Sequence, residues 1–150
     1  MYRKILIAYN GTPESQSALQ ECIRLAPDPS ADIHLLVVVN PPQAVVLGEY
    51  AMVSMVGIEE EIQAEKEKMQ QQLDEGLHVL ENAGMRVYTH LKVGEPVPTI
   101  AHLVEKLGIE IVIVGHSRMQ SLAMRWWRGA TDTVLVEKIR CALLIASDPA

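Results

Sequence analysis

Two short stretches hold the residues best suited to chemistry. The first is Asn10-Gly11-Thr12, which closes an apolar run and opens a helix. Its carboxamide and hydroxyl can turn the chain, cap the helix or hydrogen-bond a ligand. The second, Ile111 to Thr131, reads "IVIVGHSRMQSLAMRWWRGAT". It opens as a buried strand and is expected to turn at Gly115. A strand that ends in glycine and leads toward a helix often holds phosphate, because backbone N–H groups face the anion there. Arg118, Arg125 and Arg128 follow, and their guanidinium forks suit phosphate or carboxylate. No Asp or Glu lies between Glu110 and Asp132, so the loop is locally cationic. The plainer reading makes these arginines surface residues paired with acids such as Glu49 or Glu59.

Covalent and metal chemistry find little support. "GHSRM" has the serine of a nucleophile elbow, but Met119 stands at its last glycine and no histidine follows His116. His34, His78, His90, His102 and His116 lack the H-x3-H and H-E-x-x-H spacings of zinc sites. His116, at a strand end, reads as a hydrogen-bonded loop histidine that could titrate near neutrality. There is no G-x4-G-K-[S/T] loop. Cys22 and Cys141 are far apart and read as small buried hydrophobes in a reducing compartment. Trp126 and Trp127 could stack on a base, although filling a groove is the plainer role. Met52 and Met55 are read in the same way, as core filling before contact surface.

These residues need a scaffold. Lys4–Asn10 ("KILIAYN") and His34–Val39 ("HLLVVV") are continuous apolar runs suited to strands buried on both faces. Between them, Thr12 as N-cap and Pro13 at the first helical position open a helix with Ala18, Leu19, Cys22, Ile23 and Ala26 on its apolar face. Asn40–Gly57 reads as a long apolar connection, the kind that often serves as a lid or contact surface. Ile58–Ala83 is the longest predicted helix, with Ile58, Ile62, Met69, Leu73, Leu77 and Leu80 as its stripe. Its "EEE", "EKEK" and "QQQ" positions read as a solvated face. Val87–Val93 alternates like an edge strand, "GEPVP" is a turn, and Ile100–Leu107 marks a helix closed by Gly108. Ile109–Val114, a helix over Thr131–Ile139 and a strand over Ala142–Ala146 complete the chain. The alternation βαβαβαβαβ predicts an α/β fold with a parallel sheet and helices on both faces. The ends of the first and fourth strands would then meet at one crevice.

"KILIAYNGTPESQSAL", "VGEP" and "IEIVIVGHSR" together resemble the universal stress protein family, over essentially the whole chain. The resemblance implies a Rossmann-like, adenine-nucleotide-hydrolase-like sheet of five strands ordered 3-2-1-4-5. It also implies a homodimer joined through the last strand, here "ALLIA". Many members bind ATP between strands one and four through G-x2-G-x9-G-[S/T], and others bind no nucleotide. Aligned without gaps, Gly115 takes the first glycine position, Arg118 the second and Arg128 the third. Gly129 stands where the hydroxyl is expected, and Thr131 falls in register with the following helix. A shift of one residue would place Gly129 at the third glycine, still without the hydroxyl. Asn10 stands where ATP-binding members usually have Asp, and Val39 lies near where their adenine meets backbone. Side chains at 118 and 128 add volume where phosphates approach, and cost steric energy if φ is positive there. The expectation is therefore a non-catalytic regulatory protein of the branch without the glycine loop, and no cofactor. The alternative is an ATP- or adenine-nucleotide-binding switch using Asn10, Val39, Gly115, Arg118, Arg128, Gly129 and Thr131. A slow ATPase ranks third, since no general base is evident.

The 150 residues suggest one domain over 1–150, able to bury a core without staples. Phe is absent, so that core must be aliphatic. A net charge of −6 and a pI near 5.3 disfavour nucleic acid and anionic membranes as general partners. The N-terminus reads as a strand rather than an export signal, and no apolar run approaches a membrane span, so a cytoplasmic protein is expected.

Overall fold

The computed structural model describes residues 1–40, 50–116 and 135–147, the side chains of residues 50–56 excepted. The elements are β1 (Lys4–Ala8), α1 (Pro13–Leu25), β2 (Asp32–Val39), α2 (Tyr50–Asn82), β3 (Arg86–Val93), α3 (Pro96–Leu107), β4 (Ile111–His116) and β5 (Ala142–Ser147). Residues 135–138 are helical, while 131–134 of the predicted last helix lie outside the described residues. The five strands form one parallel sheet in the order β3-β2-β1-β4-β5.

Alternate residues of each strand point to opposite faces, and both faces are apolar because both are covered. On one side Ile5, Ile7, Ile33, Leu35, Val37, Ile111 and Ile113 meet Ala18, Leu19 and Cys22 of α1 and Leu73 and Leu80 of α2. On the other, Leu6, Ala8, Leu36, Val112 and Val114 meet Ile100, Leu103 and Val104 of α3, together with Leu135 and Ile139. Aliphatic side chains fill both layers. Tyr9, buried among them, satisfies its hydroxyl with the Gln16 amide, which donates at 2.7 Å.

The elements depart from expectation in three places. First, α2 starts at Tyr50, so the connection after β2 is shorter than the predicted Asn40–Gly57. Second, the predicted turn "GEPVP" contains the start of α3. Pro96 takes the first helical position, where its missing N–H costs nothing, and the extended Glu95 precedes it. Third, β4 starts at Ile111 and runs on to His116. Ile109 and Glu110 instead close α3 and join β1, through Ile109 N to Val104 O at 3.0 Å and Glu110 N to Lys4 O at 2.9 Å.

Candidate functional site

Strand β1 lies between β2 and β4, and a cavity opens beyond the carboxyl ends of β1 and β2. One wall is the turn from β1 into α1. Asn10 Oδ1 accepts from the Thr12 backbone N–H at 3.2 Å and from the Thr12 hydroxyl at 2.6 Å. The Thr12 hydroxyl oxygen in turn accepts from Ser15 N at 3.4 Å, capping α1. Asn10 therefore shapes the turn, and the Thr12 hydroxyl proton is committed to it. Gly11 sits at φ 80, a left-handed conformation that suits glycine. A Cβ there would meet the flexible end of the Gln72 side chain, 2.7 Å from its Cδ, which reaches over the turn from α2.

The second wall is the end of β2, and the third is α2. Together they enclose a cavity of about 430 Å3 lined by Asn10, Gly11, Thr12, Val38, Val39, Asn40, Glu65, Lys68, Met69 and Gln72. That volume is in the range of small-molecule sites, about 300–1,000 Å3. A shallower recess of about 220 Å3 continues it past Val39, Asn40 and Glu65 to Glu61 and Ile62. Met69, Val38 and Val39 give apolar walls. Glu65 offers acceptors, Lys68 donors, and the Gln72 carboxamide both. Among the described residues, none of these three side chains has a hydrogen bond or ion pair.

Asn10 and Val39, both singled out from the sequence, thus line one cavity, and Gly115 is not among its lining residues. Arg118, Arg128, Gly129 and Thr131 lie outside the described residues, as do Arg125, Trp126 and Trp127. The expected turn at Gly115 is corrected. Gly115 is still in β4, paired with Ala146, and its φ is not positive. A Cβ on Gly115 would run into the carbonyl group of Glu14 and approach Ser15 N to 2.8 Å. The glycine is there because the first turn of α1 packs on β4. Glu14 is buried, and among the described residues its Oε2 has no hydrogen-bond partner.

Sequence reasoning missed the α2 wall. Glu65 and Lys68 belong to the "EKEK" run assigned to a solvated face, yet they line the cavity. The available signal was their spacing from Met69 and Gln72, which puts all four on adjoining helical positions. Cys22 behaves as expected: burial pushes its thiol up to about 12. Burial also raises Cys141, less strongly. Among the described residues, no group of three or more His, Cys, Asp or Glu is arranged to hold a metal ion, and no helix is long and apolar enough to cross a membrane.

A doubly wound parallel sheet with a ligand-sized cavity beyond the carboxyl ends of β1 and β2 defines an α/β protein of Rossmann-like fold. Within that class the assignment is specific: residues 1–147 match the model of the universal stress protein family, and the chain belongs to it. It is 28% identical to universal stress protein YxiE of Bacillus subtilis, covering 97% of this chain and 99% of the relative. It is 23% identical to universal stress protein MJ0531 of Methanocaldococcus jannaschii, covering 99% and 84%. Among solved structures, hypothetical protein MJ0577 superposes with a TM-score of 0.78 at 19% identity, covering 98% of this chain and 96% of that one. A universal stress protein in complex with cAMP gives 0.64 at 18% identity, covering 98% of both chains. An Arabidopsis thaliana family member with AMP bound gives 0.66 at 15%, covering 98% and 92%.

Proposed function

We propose that this chain is a non-catalytic regulatory member of the family, a cytoplasmic homodimer that acts through protein partners and does not hold ATP in the family's usual glycine-loop pose. The packing of Gly115 carries this reading. Of the three glycines in that loop, the chain keeps only Gly115, and the contact of α1 with β4 already accounts for it. Arg118 and Arg128 fill the other two positions. Among the described residues β5 is an edge strand with Ile145 41% exposed, which supports dimerisation. The reading is tested by titrating ATP and magnesium into the purified protein by calorimetry, after assaying the denatured protein for co-purified nucleotide. No micromolar binding by the wild type, and new binding by the double variant Arg118→Gly, Arg128→Gly, is expected. Wild-type binding lost in the Arg118→Ala, Arg128→Ala variant would refute it. Light scattering tests the dimer, with Ile145→Lys expected to give monomers.

A second reading, an adenine-nucleotide switch, is favoured by the cavity itself. Asn10 and Val39 line it, its volume admits a nucleobase with its sugar, and two solved relatives are described with cAMP or AMP. A monophosphate makes fewer demands on the missing glycines than ATP does. Binding of AMP or cAMP, abolished when Gln72→Trp fills the cavity, would establish it.

A further inference from the structure

Two histidines outside the crevice face each other across β2 and β3. His34 Nδ1 and His90 Nε2 are 2.9 Å apart. Their ring centroids are 5.2 Å apart and the planes are tilted by 30°. That separation is little more than the N···N distance plus two ring radii, so the rings meet end to end, nitrogen to nitrogen. This is the geometry of one N–H···N hydrogen bond. It is not that of a chelate, whose two lone pairs would converge on a third point. Tyr88 stacks on His34, with centroids 5.2 Å apart and planes at 23°. His34 is 8% exposed.

A single proton can occupy the space between the facing nitrogens. The neutral pair has one N–H there and one lone pair. The singly charged pair keeps that bond and strengthens it. The doubly charged pair sets two N–H groups against each other and loses the bond.

The surroundings oppose the second charge. Lys4 on β1 acts on His34, and Lys92 on β3 and Lys106 on α3 act on His90. Asp32 on β2 favours charge on His34, but it is shared with Arg86 of β3 at 3.5 Å. Tyr88 of β3 stacks on His34 beside the pair. Burial is the largest effect on each ring and acts in the same direction as the lysines.

We propose that His34 and His90 form an acid-sensitive latch that holds the edge strand β3 to β2 and lets it go when both rings are protonated. Among the described residues β3 pairs with β2 alone, as the edge strand of the sheet. Both rings bind protons less readily in the folded chain than at their usual 6.5. The latch is therefore fully closed above that value. Its contribution is lost as pH falls below it, because the unfolded or detached state then binds more protons.

Hydrogen exchange of the β3 amides at about pH 7.5 and about pH 5, either side of the ordinary histidine range, tests this. Rates are corrected for intrinsic chemistry and compared with the amides of Ile5 to Ile7. Protection of β3 in the wild type should fall several-fold relative to β1. His90→Gln keeps a neutral hydrogen-bonding group but takes no proton, so its β3 protection should not change with pH. A wild-type loss no larger than that of β1, or an equal loss in His90→Gln, overturns the proposal. Nitrogen-15 NMR of the wild type gives an independent check that needs no variant. The pair should titrate in two separated steps, the second displaced downward. Two independent titrations at ordinary values overturn the proposal.

Discussion

Replacing Gly115 with alanine adds one methyl group at the closest contact between α1 and β4. That methyl carbon would collide with the Glu14 carbonyl group and stand 2.8 Å from Ser15 N. Both obstacles are backbone in the first turn of a helix, so no rotamer change relieves them. Either α1 lifts from β4 or β4 shifts within the sheet, where it pairs with both β1 and β5. Overpacking a tight core costs about 1–3 kcal/mol, and a rigid obstacle puts this case near 3. For a chain of this size the melting midpoint should then drop by roughly 6–12 °C. Urea unfolding should show a lower midpoint at unchanged slope, the sign of lost stability rather than an altered unfolded state. Lifting α1 also moves Thr12 and Asn10, so the crevice should change shape in the surviving folded fraction. A Gly115→Ala protein within about 0.5 kcal/mol of wild type, the ordinary range for an unconstrained surface site, would refute the packing explanation.

Gly57 provides the opposite case. It lies within α2 with nothing near its missing Cβ, so Gly57→Ala should stabilise the fold by up to about 1 kcal/mol in the same urea experiment. Thr12→Ala removes the N-cap and one of the donors to Asn10, and should cost about 1 kcal/mol, whereas Thr12→Ser should restore most of it. Cys22 should resist thiol reagents in the native protein and react only on unfolding, since its thiol is fully buried and pushed up to about 12. Intact-mass analysis after native and denatured labelling would read this out.

The sheet was legible because its strands are written in runs that no other element explains as well. "KILIA", "HLLVVV" and "IVIV" are short, β-branched and uninterrupted, and alternation with helices left a parallel sheet as the natural arrangement. Boundaries failed where local signals carried two meanings. Gly115 looked like a turn because glycine usually ends a strand, but it serves a helix packed on a strand that continues. Pro96 and Pro98 looked like a turn because proline usually stops a helix, but here proline opens one. "YAMVSMVG" shows neither a helical period nor a cap, so the start of α2 was invisible. Half of the cavity could be anticipated, since Asn10 follows β1 and the family resemblance singled out Val39, but it opens between the ends of β1 and β2 rather than those of β1 and β4. The α2 half was marked only by spacing: Glu65 and Lys68 share helical positions with Met69 and Gln72, and nothing else separates a charged residue facing water from one overhanging a cavity. The His34–His90 contact was equally hidden, since 56 residues separate the partners and only the β2–β3 register brings them together.

The proportions of α2 have a mechanical consequence. Its 33 residues span about 50 Å, while the eight residues of β2 span about 26 Å. Leu73 and Leu80, its fully buried anchors, lie in its last third. The helix is thus a lever arm with its fulcrum on the sheet and its long end reaching past the strand tips. The side chains that wall the cavity, from Glu61 to Gln72, sit on that arm just beyond the fulcrum. A tilt too small to unseat either leucine is multiplied along the arm. The walls of the cavity and the far end of α2 therefore belong to one helix whose fully buried leucines lie toward its other end.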